Sequence, residues 1–136
     1  MASEVHSMQL DKAGIPYIAH ICAVVAGCKT PMARVVAALH DVIEDCDDED
    51  WYKSEIEGLF GTVVLDAVLR VTRRDGESYD DFIARVSECS IATEVKLADL
   101  RHNADLSRLK IPTDADHKRS LKYRRAISKL IYKGLD

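Results

Sequence analysis

Apolar residues recur at helical spacing along most of the chain, and no stretch alternates in the way a β-strand does. Residues 1–10 predict only a short helix, and Gly14 and Pro16 mark the turn that follows it. The run from Tyr17 to Cys28 is apolar on nearly every face, which predicts a buried helix. A second apolar run, 35–45, predicts another.

The second half of the chain predicts packing helices. Helical spacing of apolar residues covers 51–60, 61–72, a segment that begins at Ser78, and 90–109. Thr113 and Asp116 have the spacing of a capping box. The last helix, which they begin, is predicted to carry four apolar side chains toward the core: Tyr123, Ile127, Leu130 and Ile131. We therefore expect an all-α fold.

Length and composition limit the number of domains. The chain has 136 residues, of which 47% are hydrophobic, enough for one domain with a sizeable core and hardly enough for two. We expect a compact single-domain bundle of about seven to eight helices over residues 1–136.

The stretch from Val35 to Asp45, VVAALHDVIED, is the most informative one. As one continuous helix it would carry two polar doublets, His40-Asp41 and Glu44-Asp45, on an otherwise apolar rod. Residues four apart share a helix face, so the doublets would form one polar strip. Ionised groups in an interior are costly unless they are paired or bound to a cation. Two interpretations remain: a metal site, or a helix that reaches the surface near residue 40 and merges with the acidic stretch 47–50.

Two other predicted helices contribute polar groups near buried faces. His20 is the one strongly polar side chain of the Tyr17–Cys28 segment, so it is either a hydrogen-bonded core residue or a metal ligand. Asp99 and Asn103 lie four apart at the edge of a core stripe and can reach one cavity. His102 is predicted as a core residue of that stripe.

The charge balance limits the classes of partner. The formal net charge is -4, with 19 basic and 23 acidic residues, so no overall field would hold the protein on nucleic acid or an anionic membrane. The last predicted helix is a basic exception, and its cationic face is either solvated or attracts phosphates. Its seven cations are Lys118, Arg119, Lys122, Arg124, Arg125, Lys129 and Lys133.

Four cysteines occur without a C-x-x-C pair, which indicates a reducing, cytoplasmic setting. The first twelve residues lack a basic-then-apolar targeting signal. No uninterrupted apolar stretch reaches the ~18 residues that a membrane span needs. We expect no targeting segment and no membrane anchor.

The polar residues of the buried segments form a candidate metal site: His20, His40, Asp41 and Asp99. Two imidazoles and two carboxylates, with positions left for water, suit a divalent transition metal better than Mg²⁺. Mn²⁺ is the preferred ion, and Fe²⁺ and Zn²⁺ are the alternatives. An open metal site of this kind implies hydrolysis.

The spacing of these residues resembles the HD-domain metal-dependent phosphohydrolases, and from His6 to about Tyr123 the chain resembles their RelA/SpoT-type (p)ppGpp 3'-pyrophosphohydrolase branch. Four ordered segments carry the resemblance: His6-Ser7-Met8-Gln9, Gly14-Ile15-Pro16-Tyr17-Ile18-Ala19-His20, Ala38-Leu39-His40-Asp41-Val42-Ile43-Glu44-Asp45, and Lys96-Leu97-Ala98-Asp99 continuing to His102-Asn103.

The resemblance implies a role for each matching residue. The four candidate ligands would hold the ion, Glu44 and Asp45 would match the catalytic pair of the family, and Asn103 would position the substrate or a water. The family's substrate-side residues are matched by Lys12, Tyr17, Arg119 and Tyr123. The implied activity is hydrolysis of a phosphate or pyrophosphate ester of a nucleotide, similar to that of (p)ppGpp hydrolases.

Three positions depart from the family pattern. Asp11 stands where the family has a basic residue that contacts the purine, Leu100 replaces an Arg, and Ile21 replaces a Pro. Because the charge of Asp11 would repel a phosphate, we expect poor affinity for (p)ppGpp and an improvement in Asp11→Arg. The alternatives are therefore a phosphatase for a different nucleotide or dinucleotide, and a catalytically silent HD binding module. The oligomeric state stays open.

Overall fold

The computed structural model describes residues 1–133, in which the regular secondary structure consists of helices and one isolated β-bridge between Leu10 and Pro16. The nine helices of this part are α1 (Ala2–Val5), α2 (Ile18–Gly27), α3 (Pro31–Leu39), α4 (Val42–Asp45), α5 (Glu49–Phe60), α6 (Thr62–Arg70), α7 (Tyr79–Val86), α8 (Ser90–Ala104) and α9 (Asp114–Tyr132). Two of them, α1 and α4, have only four residues. The all-α prediction is confirmed; the last three residues of the predicted domain lie outside the described range.

The centre of the fold is formed by α2, α3 and α8, and α9 packs along the outer side of α8. Val24, Val36 and Val95, one from each central helix, are completely buried. At Gly27 of α2, an added Cβ would lie 3.1 Å from the Cβ of Ala98 in α8, so the missing side chain allows the two helices to approach closely. This approach sets α2 against the part of α8 that carries the acidic candidate ligand.

The predicted single helix over Val35–Asp45 is wrong, because the structure interrupts it at His40 and Asp41. In a continuous helix the carbonyl of Ala37 would accept the backbone N–H of Asp41. Here that carbonyl lies 2.7 Å from Nδ1 of the His40 ring, and Asp41 leaves the helical region with φ -108° and ψ 3°. The two polar doublets therefore lie on separate helices, which frees the His40-Asp41 pair to turn inward.

The remaining boundaries follow local capping chemistry. The side chains of Thr30, Ser78 and Thr113 accept backbone N–H groups at the starts of their helices, and Thr113 and Asp116 form the predicted capping box. Helix α8 ends at Ala104, before the predicted 109, and the carboxylate of the next residue accepts the Ser107 N–H at 2.9 Å in a local turn.

One core prediction in α9 is wrong. Ile131 is 43% exposed, whereas Ala126 and Leu130 are buried and Tyr123 and Ile127 pack half-buried against the core. The core-facing side of α9 is narrower than its apolar pattern indicates, because α9 is an outer helix that contacts the bundle along one line.

Two expectations from the sequence concern membrane-spanning segments and the state of the cysteines. None of the helices within 1–133 combines the length and the apolar character that a membrane crossing requires. The four cysteines, Cys22, Cys28, Cys46 and Cys89, are free thiols.

Candidate metal centre

Four predicted ligands come together from three parts of the fold. His20 lies on α2, His40 and Asp41 lie at the break between α3 and α4, and ligand atoms of these three residues are within 4.8 Å of one another. Asp99 of α8 joins them: its Oδ1 is 3.0 Å from Nε2 of His20 and 3.4 Å from Nε2 of His40. Both imidazoles and Asp99 are buried. This His/Asp cluster could hold a metal ion.

The His40 ring has the orientation of a metal ligand. Its Nδ1 lies 2.7 Å from the Ala37 carbonyl, which can only accept, so Nδ1 carries the proton in the neutral ring. Its Nε2 is buried without a hydrogen-bond partner and faces Asp41 Oδ2 at 3.2 Å. Without an ion, only a proton on this nitrogen can balance the two carboxylates that face it, and a divalent cation there would replace that proton and bind both kinds of group. The donor set fits a transition metal.

Neighbouring cations and donors keep the two acidic groups ionised. Burial would raise the pKa of Asp99, but the Lys96 ammonium at 2.9 Å, His20 and His40 hold it well below its ordinary value. Burial likewise opposes ionisation of Asp41, whose pKa is nevertheless lowered, chiefly by His40. These carboxylates raise the pKa of His40 in turn, against the effect of burial. The cluster thus presents charged oxygen ligands.

Two further contacts hold the acidic ligands in place. The Tyr17 hydroxyl donates a hydrogen bond to Asp41, and Asn103 Nδ2 donates to Asp99 Oδ1 at 3.0 Å. Burial and the negative charge of Asp41 raise the pKa of the Tyr17 hydroxyl, so it stays a donor.

Glu44 and Asp45 lie on α4, next to the cluster and outside it. Glu44 Oε1 accepts the Arg73 N–H at 3.0 Å, and Asp45 Oδ2 accepts from Gln9 Nε2 at 3.4 Å. Both residues are exposed, yet surrounding protein excludes enough water from their carboxyls to raise the pKa of each, and the charge of Asp41 adds to this effect. Two exposed carboxylates with raised pKa values beside a metal site suit proton transfer.

A cavity of about 250 Å³ opens beside the cluster. Tyr17 and Asn103, which hold Asp41 and Asp99, form part of its wall, so the cavity begins at the ligands. The structure also brings the other predicted substrate-side residues to this wall, namely Lys12, Arg119 and Tyr123.

Two histidines near the cluster were not predicted as site residues. His102 is half-buried, and its Nδ1 lies 2.7 Å from Nδ1 of His20, so its prediction as a core residue is wrong. Burial lowers the pKa of His102, and Arg108 and His20 lower it further. His6 is almost completely buried, bonds Gln9 Oε1 at 2.8 Å and lies 3.5 Å from Asp45. Its presence in the first matching segment was the signal available for it.

The three departures from the family pattern have structural roles. Leu100 and Ile21 are buried in the core. Asp11 Oδ1 accepts the N–H groups of Ala13 and Ile15, at 2.8 and 3.0 Å, and its Oδ2 accepts from Arg108 Nη1 at 2.9 Å. Arg108 therefore offsets part of the charge of Asp11, and the expected poor affinity for (p)ppGpp stays a prediction.

Comparison with known proteins identifies a solved structure of similar fold. No family model matches the chain, and no curated protein matches it in sequence. Among solved structures, the chain is similar to a metazoan ortholog of SpoT that hydrolyses ppGpp and plays a role in starvation responses. The TM-score is 0.71 and the sequence identity 26%, over 96% of this chain and 79% of the other. The resemblance to the HD-domain (p)ppGpp hydrolases, predicted from four motifs, is thus confirmed, and the chain shares their all-α fold.

Proposed function

We propose that the chain is a metal-dependent phosphohydrolase that cleaves a phosphate or pyrophosphate ester of a nucleotide, in the manner of a (p)ppGpp hydrolase. The observation that carries this proposal is the convergence of two imidazoles and two carboxylates beside a cavity whose wall includes Lys12 and Arg119. The solved ppGpp hydrolase of similar fold supports the substrate class. The four unpaired cysteines fit a cytoplasmic location for such a reaction.

In this proposal His20, His40, Asp41 and Asp99 hold one divalent transition metal. Mn²⁺ is the preferred ion, because Mg²⁺ seldom binds imidazole nitrogen and the two carboxylates suit a harder ion than Zn²⁺. When bound, the ion lowers the pKa of water and offsets negative charge on the phosphoryl oxygens.

Glu44 and Asp45 are the proposed proton-transfer residues. A water attacks phosphorus, a new P–O bond forms, and the ester P–O bond to the sugar oxygen breaks. One carboxylate of the pair orients this water and accepts its proton. The protonated pair then gives a proton to the leaving sugar oxygen, which departs as a hydroxyl group and leaves the pair ionised. The raised pKa values of both groups bring them closer to neutral pH, where a carboxylate transfers protons more effectively.

The cavity wall supplies the substrate contacts. Lys12 and Arg119 provide positive charge for phosphate oxygens, and Tyr123, one helical turn beyond Arg119, provides an aromatic surface. Tyr17 and Asn103 have a double role in the proposal, since each holds a metal ligand and also lines the cavity.

A hydrolysis screen tests this function. Purified protein is freed of metal by chelation, divided, and reloaded separately with Mn²⁺, Fe²⁺, Zn²⁺ or Mg²⁺. Release of phosphate or pyrophosphate is then measured over ppGpp, other phosphorylated nucleotides and dinucleotides. We expect activity that disappears on chelation and returns with a transition metal. Turnover of another nucleotide in preference to ppGpp would identify a different substrate; tight metal binding without any turnover would favour the silent binding module.

A further inference from the structure

A row of exposed cations follows one flank of α9, outside the cavity beside the metal cluster. Its members recur three or four residues apart, so they share one side of the helix and extend over roughly 22 Å along its axis. The members of this cationic row are Lys118, Lys122, Arg125, Lys129 and Lys133. None of them has a part in the proposed hydrolysis.

Two adjoining cavities form a groove between the cationic row and α7. Lys122, Arg125 and Lys129 line the first cavity, of about 380 Å³. Lys129 and Lys133 line the second, of about 350 Å³. The two cavities share Lys129 and Asp80, so they form one continuous groove. Each part has the volume of a small-ligand site, which suits the bases of a single strand and is too small for a duplex.

Little negative charge opposes the cations in this groove. Among the described residues that line it, Asp80 is the one acid, and it pairs with Lys129 at 2.5 Å. The two side chains are 78% and 55% exposed, and an ion pair so open to water is weak, so a phosphate can take the place of Asp80. Within residues 1–133, Lys122 and Arg125 form no ion pair.

The acidic groups of the chain lie mainly on other elements. The acidic stretch 47–50 leads into α5, which packs on α4 and α6, whereas the groove lies between α7 and α9. Interactions between exposed charges fade over about 8 Å at physiological ionic strength. The nearby cationic row therefore outweighs the net charge of -4 for a polyanion that lies in the groove.

Two tyrosines border the same groove. Lys122 Nζ lies 3.9 Å from the centroid of the Tyr79 ring in the first cavity. Tyr132 lines the second cavity and is 61% exposed. Proteins that bind single strands without sequence preference combine a positively charged groove for the phosphates with aromatic rings on which bases stack. The groove between α7 and α9 has both parts.

We propose that this groove binds a segment of single-stranded nucleic acid, with about four nucleotides in contact. Lys122, Arg125 and Lys129 contact successive phosphates, and Tyr132 stacks on one base. Because a cation recognises only charge and every base has a face that can stack, the site has no sequence preference. The groove is separate from the His/Asp cluster, so the inference does not depend on the proposed hydrolysis.

Fluorescence anisotropy with a labelled strand tests this proposal. Kd is measured at several salt concentrations for octauridylate that carries fluorescein at its 3' end and a hydroxyl at its 5' end, so no terminal phosphate can enter the metal cluster. Neutralisation of three to five phosphates predicts a slope of log affinity against log salt of about -2 to -3.5. Arg125→Gln should weaken binding roughly three- to tenfold near 0.1 M salt and reduce the slope by about 0.7.

Arg124→Gln is the matched control. It removes an exposed arginine from a different side of α9 that lines neither cavity, and it should leave Kd within about twofold. Tyr132→Leu should weaken binding severalfold at an unchanged salt slope, because it removes a stacking ring and no charge. Circular dichroism checks that each variant is folded.

Three results would overturn the proposal. Absence of binding at about 50 mM salt would leave the cationic row as a solvated face. Equal losses in Arg124→Gln and Arg125→Gln would assign binding to diffuse charge and not to the groove. Tighter binding of a duplex of the same length, or of vesicles that contain phosphatidylserine, would assign the cationic row to another class of partner.

Discussion

Three of the four candidate ligands are fixed by contacts outside the cluster itself. Ala37 holds the His40 ring, Tyr17 holds Asp41, and Lys96 holds Asp99. Ligands that are oriented before an ion arrives lose less conformational freedom on binding, and their outer contacts tune affinity. At the residue scale the centre is therefore organised by hydrogen bonds that no ion is needed to form.

A first prediction separates ligands from proton-transfer residues. Glu44→Gln removes a carboxylate that lies outside the His/Asp cluster, so metal content should stay near the wild-type value. Turnover should fall by roughly 10²–10⁴, the range typical of general acid–base groups. Metal analysis and steady-state kinetics on the same preparation measure the two effects.

The matched control is Glu57→Gln, which changes an exposed glutamate on α5 and should leave both values unchanged. Loss of metal in Glu44→Gln would make Glu44 a ligand. Unchanged turnover would transfer the proposed role to Asp45.

At the level of secondary structure, the periodicity of apolar residues predicted where helices occur, but not the break between α3 and α4. The prediction that α2 is buried on nearly every face is wrong, because Ala19, Cys22 and Ala26 form an exposed stripe and only His20, Ile21 and Val24 are buried. The capped starts of α7 and α9 follow from apolar spacing and capping residues. The break at His40 does not, because the apolar pattern continues across it, and only the bond from the His40 ring to the Ala37 carbonyl shows why the helix stops. A competition between a side chain and the backbone for one carbonyl three residues earlier is a local event that the spacing of apolar residues does not encode.

The α6–α7 connection is organised around Arg85. Its guanidinium makes two bonds of 2.9 Å to the Glu77 carboxylate and donates to the carbonyls of Leu69 and Thr72 at the end of α6. The same connection donates the Arg73 N–H to Glu44. The Arg85–Glu77 pair therefore stabilises the segment that positions a proposed catalytic carboxylate.

A second prediction concerns the pH dependence of stability. The hydrogen bonds that Glu77 accepts from Arg85 lower the pKa of Glu77 to about 2, from an ordinary value of 4.5. The carboxylate therefore contributes stability that is fully present above pH 4.5 and is lost as the pH falls toward 2. Glu77→Gln should reduce the free energy of unfolding by roughly 1–3 kcal/mol at pH 7, measured by urea denaturation.

The difference between wild type and Glu77→Gln should narrow below pH 4.5. Asp75→Asn, an exposed change in the same turn, is the control and should be nearly neutral. A stability difference that stays constant from pH 7 to pH 3 would show that the loss comes from packing and not from ionisation of Glu77.

At the scale of the whole molecule, the sequence predicted the all-α fold and the four residues that meet at the centre. It did not predict His6, His102 or Arg108 as neighbours of the site. His6 and Arg108 lie outside the regular part of any helix, where periodicity carries no information, and their positions depend on contacts with Asp45 and Asp11. His102 fits an apolar stripe, and only its 2.7 Å approach to His20 reveals its role.

A third prediction follows from joining α2, α3 and α8 through one ion. Metal should stabilise the folded chain by about 2.7 kcal/mol at a hundredfold excess over Kd. For a chain of this length, that corresponds to a rise in Tm of roughly 5–10 °C. Differential scanning fluorimetry of chelated protein, with and without Mn²⁺, measures the shift. Mg²⁺ at the same concentration is the comparison and should give a smaller rise; equal shifts with both ions would indicate unspecific binding to surface carboxylates.

His40→Ala, measured for metal content and for nucleotide hydrolysis together, tests the proposed metal centre. His40 supplies a buried nitrogen that faces both acidic ligands, and its loss leaves Asp41 and Asp99 without that partner. We expect the variant to lose stoichiometric metal and essentially all hydrolysis, while His117→Ala, which removes an exposed histidine of α9, keeps both. If His40→Ala retains wild-type metal content and turnover, the His/Asp cluster is neither the metal site nor the site of catalysis.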